Sequence, residues 1–256
     1  MKIAVLVKQV PGGESALPMN SSQSWVDESL VTYVMNPPDN YAIEEALLIK
    51  EEIDDCEVVV VSMGPQRVQK VIREGLAKGA DRAIHIEDDG EIEKDPLLIA
   101  RRFAKVLKEE KFNLVFSGLQ SEDTGMGQTG VLIGELLGMS TATLAVETNI
   151  SDGYIQVKRE LESGWFQRLK LPLPASVSIQ SGLNTPRYPS LKGIMGAKKK
   201  EIKLVSNSEM SSESSTQFID RIFIPTNSKQ TEVIDGDPDQ TVGRVIEILK
   251  SDIKVI

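Results

Sequence analysis

Four continuous apolar runs, each followed by a stretch of helical spacing, restrict what this chain can fold into more than any other feature. They are KIAVLVKQV (Lys2–Val10), EVVVVSMG (Glu57–Gly64), RAIHI (Arg82–Ile86) and NLVFSG (Asn113–Gly118). A strand with one wet face alternates apolar and polar residues, whereas an unbroken apolar strand belongs to a parallel sheet covered on both faces. The segments between them read as helices. Ile43, Ala46, Leu47 and Lys50 keep helical spacing over Ala42–Glu52, and Val68, Val71, Ile72, Gly75 and Leu76 follow i, i+3, i+4, i+7, i+8. Asp95-Pro96 supplies an N-cap and an N1 proline to a third helix carrying Leu98, Ile99, Phe103, Val106 and Leu107, and Gln128–Leu137, stopped by Gly138, is a fourth. With ATLAVET (Ala142–Thr148) as a fifth strand, the pattern predicts an α/β fold with a doubly wound, mostly parallel sheet.

The pattern then changes. Tyr154–Leu173 alternates with period two across Glu162-Ser163-Gly164, which predicts an antiparallel hairpin added to the sheet. Ser206–Gln217 is rich in Ser and Glu and reads as a linker or exposed loop. Phe218–Pro225 reads as a short strand and Thr241–Ile253 as a closing helix, together a C-terminal arm. The expected organisation is a nucleotide-binding α/β domain over 1–185 that includes the hairpin 154–173, an exposed segment over 186–203, and a linker with its arm over 204–256.

Composition excludes several function classes. The net charge of −9 argues against a nucleic-acid binder, and a single histidine, His85, with a single cysteine, Cys56, leaves no set of His and Cys metal ligands and no intrachain disulfide. His85 lies within a strand run, where a histidine is ordinarily structural, and Cys56 reads as a small residue at a strand edge. No run of 18 apolar residues and no secretory leader are present, so the expectation is a soluble, cytoplasmic protein that is not membrane-embedded.

The loop after the fourth strand, QSEDTGMGQTG, places Gly125, Gly127 and Gly130 as G-x-G-x-x-G. A dinucleotide fingerprint belongs in a tight turn after the first strand, and no G-x-x-x-x-G-K-[ST] is present, so neither a nicotinamide dehydrogenase nor an NTPase follows. Two readings stay open. Glycines and the first amides of a helix opened by Gln128 and Thr129 suit a phosphate; alternatively this is an ordinary loop capped by Asp123 or Thr124. The loops after the first and second strands (Lys8 onward and Met63–Pro65) converge at the same sheet edge, which supports a mononucleotide at the switch point. Asn36, ahead of Pro37-Pro38-Asp39, reads as a helix cap.

Taken in order, KIAVLVKQV, MNPPDNYAIEEAL, VVVVSMGP, GLAKGADRAIHI, QSEDTGMGQTG and VKRELESG…LPASVSIQSGLNTPRYPSLKGIMGAKKK resemble the beta subunit of electron transfer flavoprotein nearly end to end. The resemblance implies an adenine-nucleotide-binding domain like that of universal stress proteins and a heterodimer with an alpha subunit that holds most of the redox FAD. It also implies a structural AMP in this chain. The AMP phosphate is then expected on Asp123, Gly127, Gln128, Thr129 and Gly130, and the adenosine near Val7, Lys8, Gln9, Asn36 and Met63. Gly127 stands where the family commonly has Asn, which removes a side-chain donor. The segment LNTPRYPSL matches the family's recognition loop for partner dehydrogenases, acyl-CoA dehydrogenases among them. Leu191 is then the docking anchor, flanked by Tyr188, Ile194 and Met195. Glu160 matches a glutamate that pairs with the flavin-bearing domain, and the C-terminal arm packs on the alpha subunit. Lys198–Lys200 read as a solvated run, or as charges that steer an acidic partner. The chain is then an electron carrier subunit, not an enzyme, with no catalytic or metal residue, and a quinone oxidoreductase or other acceptor lies downstream. Two alternatives accompany this reading: an electron-bifurcating subunit with a second FAD in place of AMP and NAD binding nearby, and a nucleotide-sensing, stress-protein-like module without a redox role.

Overall fold

Strand β1 (Lys2–Leu6) is apolar on both faces and sits in the middle of a nine-stranded sheet. The computed structural model describes residues 1–88, 95–209, 214–225, 231 and 233–255. On one side of β1 lie β4 (Glu57–Gly64) and then β5 (Arg82–Glu87); on the other lies β6 (Leu114–Gly118). All four run parallel, with registers Val5↔Val60, Val60↔Ala83 and Val5↔Phe116. The chain builds outward through β4 and β5, then crosses back over β1 to lay down β6. The crevice between the carboxyl ends of β1 and β6 is therefore the topological switch point.

Helices cover both faces. On one, α1 (Pro37–Glu52) and α2 (Gln69–Lys78) pack a core of Ile3, Val5, Ile43, Val58, Val60 and Ile72; on the other, α3 (Pro96–Glu110) and α4 (Thr129–Leu136) enclose Val59, Val61, Ile84, Phe103 and Ile133. Burying one such aliphatic side chain stabilises a fold by about 1.5–3 kcal/mol, which explains why the unbroken valine run of β4 sits where both of its faces are covered. The expected cap of α3 forms: Asp95 Oδ1 accepts from the amides of Leu97 at 2.8 Å and Leu98 at 3.4 Å. Asp95 Oδ2 accepts from the amide and hydroxyl of Thr216. Burial raises the Asp95 carboxyl, but the Thr216 and helix N–H donors outweigh it and bring it down to about 2.

Two strands of this sheet were not legible. β10 (Ala175–Ile179) inserts between β6 and β7 (Ser140–Ser151), and β11 (Ile202–Val205) pairs with β5 at the sheet edge. The fifth strand is longer than expected. β7 follows β10 in parallel, bends where Leu144 takes a left-handed φ of 59°, and continues antiparallel to β8 (Tyr154–Glu160). β8 and β9 (Phe166–Pro172) form the expected hairpin, with Glu160 paired to Phe166. A separate two-stranded ribbon joins β2 (Gln9–Pro11) to β3 (Tyr33–Met35).

Met1–Ile222 form one compact unit and Phe223–Ile256 another. Phe218–Pro225 forms no strand, contrary to expectation; within it the Ile222 amide donates to Gln23 O at 2.9 Å, with no ladder beyond that bond. The closing helix does form, as α6 (Pro238–Glu247) capped by Asp237 and continued by a π-helical stretch over Ile248–Ile253. Residues 210–213 of the Ser-rich stretch lie outside the described residues. No helix among the described residues is long and apolar enough to cross a membrane.

Candidate functional site

A cavity of about 540 Å³ opens at the switch point. Val7, Lys8, Gln9, Asn36, Met63, Asp123, Gly127, Gln128, Thr129 and Gly130 all line it. These residues come from four separate segments, and what brings them together is the shared carboxyl edge of β1, β4 and β6.

The residue that organises this edge is Asp39, in the first turn of α1. Its carboxylate accepts from the Lys8 amide at 2.7 Å, the Gly118 amide at 3.1 Å and Asn36 Nδ2 at 3.0 Å, so it ties the ends of β1 and β6 across the crevice. Burial pushes the Asp39 carboxyl up to about 7, against the pull of those donors. A Cβ on Gly118 would meet Asp39 Oδ1 at 2.4 Å, so that strand end closes this tightly only with glycine. Sequence reasoning passed over Asp39, because an acid in the first helical turn is ordinarily a complement to the helix dipole.

Asn36 occupies the N-cap position of α1, but its side chain makes no capping bond, which corrects the expected role. It is buried and holds the glycine-rich loop instead: Nδ2 donates to Gln120 O at 3.0 Å and Oδ1 accepts from the Glu122 amide at 3.1 Å. Lys8 holds the same loop from β1. Its Nζ bonds Asp123 Oδ1 at 2.7 Å, Ser121 Oγ at 3.2 Å and Thr124 Oγ1 at 3.4 Å. Burial raises the Asp123 carboxyl, but the Lys8 charge and the hydrogen bonds from Lys8, Ser121 and the Thr124 amide together keep it below its ordinary value.

Asp123 is thus engaged by Lys8 and the Thr124 amide, and it does not cap α4. No side chain caps the start of α4 at Gln128, which leaves the first helical amides open toward the cavity. Such amides, at the positive end of the helix dipole, are a ready anion site. Gly125 and Gly127 both take a φ of 62°. Glycine adopts this left-handed conformation without strain, which accounts for glycine at both positions. Gly130 packs against Ser117, where a Cβ would come within 2.5 Å of the hydroxyl.

Gln9 is held on the cavity wall by Arg67: Arg67 Nη1 donates to Gln9 Oε1 at 2.8 Å and Gln9 Nε2 donates to Arg67 O at 3.1 Å. Arg67, Trp25, Glu28 and Tyr33 also line the cavity and were not anticipated. A lone Trp in a polar run and an Arg past a proline carry no periodic signal. His85 is fully buried, with Nε2 against Gly64 O at 2.9 Å, and Cys56 is buried and free. No cluster of three metal-ligating residues occurs among the described residues.

A second region bears the other expected site residues. The segment after β10 is fastened to α1 at its base. Asn184 Nδ2 donates to Tyr41 O and to Glu45 Oε2, both at 3.0 Å, and the Arg187 guanidinium grips Glu44 from Nε and Nη2 and reaches Glu51 at 2.6 Å. The chain then forms a short helix, α5 (Leu191–Ala197), whose cap Ser190 accepts from the Gly193 amide at 3.0 Å. Gly193 lies so close to Ala77 O on α2 that a Cβ would collide with it, and Arg73 and Lys200 bond backbone carbonyls across the same junction. Lys200 is therefore not part of a solvated run; its ammonium serves the C-terminal carbonyls of α2, whereas Lys198 and Lys199 are exposed. On the outer face Tyr188 is 94% exposed and Leu191 81%, with Ile194 and Met195 also exposed. Glu160 stands elsewhere, at the end of β8, where it accepts from Gln180 Nε2 at 3.2 Å.

Comparison with known proteins agrees over the whole chain. Residues 24–210 match the family model described as "Electron transfer flavoprotein domain". The chain is 36% identical over 259 residues to the electron transfer flavoprotein subunit beta of Methylophilus methylotrophus, covering 97% of this chain and 98% of that one. It is 32% identical over 263 residues to the same-named subunit of Bacillus subtilis, with 100% of both chains covered. It is 42% identical over 202 residues to that of Bradyrhizobium diazoefficiens, covering 79% and 80%.

Proposed function

The chain belongs to the electron transfer flavoprotein family, among its beta subunits, and from that premise we propose that it is the nucleotide-holding and docking half of a heterodimeric, cytoplasmic electron carrier. The observation that carries this reading is the cavity at the switch point, where all ten expected nucleotide residues meet beside an uncapped helix start. A mononucleotide fits such a site. Its phosphate takes the amides of Gly127, Gln128, Thr129 and Gly130, and its adenosine end lies against Val7, Lys8, Gln9, Asn36 and Met63. AMP there is structural: it fills a crevice between strand ends that Asp39 and Asn36 have already fixed.

FAD, held mainly by the alpha subunit, supplies the electron-transfer chemistry when bound. This chain positions the encounter. Leu191 is the anchor that enters an apolar pocket on a flavin-dependent dehydrogenase, with Tyr188, Ile194 and Met195 around it; a few such plugs carry most of the affinity of an interface. Their base is already ordered by Arg187 and Asn184, so docking costs little further entropy. Glu160 contacts the flavin-bearing domain. Helix α6 exposes Val242, Val245 and Ile246 and buries none of its residues, which suits an arm that packs on the alpha subunit. A quinone oxidoreductase or similar acceptor then takes the electrons.

The test is the cofactor content of the complex purified from its natural source. One flavin and one adenosine monophosphate per heterodimer is the expected result. Two flavins would overturn the AMP assignment in favour of a bifurcating subunit, and a colourless protein without a larger companion would overturn the whole reading.

A further inference from the structure

Part of the cavity's lining comes from a strap, residues 12–32, closed at its base by the β2–β3 ribbon and the Gly12 amide on Thr32 O at 2.8 Å. No residue from 12 to 32 is buried, so the strap has no core of its own. Segments with few buried apolar contacts open at much lower free energy than the domain as a whole. Yet Trp25 and Glu28 from this strap, and Tyr33 at its foot, line the cavity beside residues from the rigid sheet edge.

Arg67 joins the two. Arg67, on the turn that leads from β4 to α2, donates from Nη1 to Gln9 Oε1 at 2.8 Å and from Nη2 to Glu28 Oε2 at 3.0 Å. Its guanidinium carbon lies 3.8 Å above the centre of the Tyr33 ring. Glu28 in turn accepts from Trp25 Nε1 at 3.2 Å. The Tyr33 phenol is pushed up to about 12 by burial and by its bond to Glu28, so the ring stays neutral under its cation. The planar fork of arginine makes both hydrogen bonds and the stack at once, and lysine does not reproduce that.

We propose that Arg67 is a positioning residue for the nucleotide cavity: it latches the 12–32 strap to the wall at Gln9 and thereby sets how fast a bound nucleotide leaves. The inference rests on the reading that a nucleotide occupies this cavity. The glycine-rich loop is tied to the sheet edge by Asn36 and Lys8, whereas the strap, which lacks buried residues, is tied to it through Arg67. An exposed ion pair and an exposed cation–π contact are each modest, and together they correspond to about a tenfold slowing of release.

The experiment uses the complex of this chain with its companion subunit, loaded with isotopically labelled adenosine monophosphate and chased with excess unlabelled nucleotide. Arg67→Ala is expected to release label about tenfold faster, with an unchanged melting temperature. Arg67→Lys restores part of the slow release, and Glu28→Gln gives a smaller acceleration. In the unaltered complex, release quickens with salt because the latch is an exposed ion pair, and Arg67→Ala loses that part of the salt dependence. Label retained by the unaltered complex and released at the same rate from Arg67→Ala and Glu28→Gln would overturn the latch and leave the proposed function standing. Failure of the unaltered complex to retain any adenosine monophosphate would overturn both.

Discussion

Helix α1 serves two regions that differ in almost every physical respect. Its first turn, through Asn36 and Asp39, fixes the glycine-rich loop and the strand ends of the cavity with buried polar bonds. Two turns later its carboxylates, Glu44, Glu45 and Glu51, fasten the segment that ends in α5. The first region is an open cavity whose edge is held by buried polar bonds; the second is polar at its base and apolar at its exposed tip. Buried polar groups hold geometry because any unpaired partner is expensive. Exposed apolar groups contribute nothing to the isolated fold and act only when a partner covers them. The cavity and the exposed tip are therefore built from opposite kinds of surface on one rigid support.

The contrast can be broken from either end. Asp39→Ala strands the Lys8 amide, the Gly118 amide and Asn36 Nδ2. It should cost about 3 kcal/mol or more of stability in denaturant titration, with loss of bound nucleotide. A loss below about 1 kcal/mol would show that this tie does not organise the cavity. Glu44→Gln weakens the grip on Arg187 and should cost about 2 kcal/mol, raising the Michaelis constant for the dehydrogenase while nucleotide content stays full. Nucleotide loss in that variant would mean the two regions are not independent.

The third test is pH. The Asp39 carboxyl is raised in the fold to about 7, so its contribution is fully present below the ordinary carboxylate range and is lost as pH rises through 7. Stability should fall by about 1.4 kcal/mol between pH 6 and pH 8 on this account, and the fall should be absent in Asp39→Asn. The smallest effect on stability belongs to Leu191→Ala. With Leu191 at 81% exposure the melting midpoint should hold within about 0.5 kcal/mol, while electron delivery from dehydrogenases drops sharply. Undiminished delivery would remove Leu191 from the docking role.

Much of the fold was legible because its signals are local. The valine run of β4, the stripe of α2 and the Asp95-Pro96 start of α3 each declare themselves within a dozen residues. β10 did not: Ala175–Ile179 carries Ser176 and Ser178, yet all five of its residues are buried because it is sandwiched between β6 and β7. The short helix α5 was equally hidden in a segment broken by Pro186, Pro189 and three glycines, since its stability comes from a close approach to α2 that only Gly193 permits. In the cavity, the glycine-rich loop was visible by spacing, whereas Asp39 and Arg67 act through partners distant in the chain.

The amino-acid order by itself settled the layering of sheet and helices, the glycine spacing of the loop and the presence of an apolar cluster with no helix long enough to bury it. These follow from side-chain period and backbone sterics, which act between near neighbours. Strand order, the insertion of β10, the clamp at the switch point and the strap lining the cavity were decided only in three dimensions. Each depends on hydrogen bonds and packing between residues tens of positions apart, whose energies exist only once the sheet has brought them within reach.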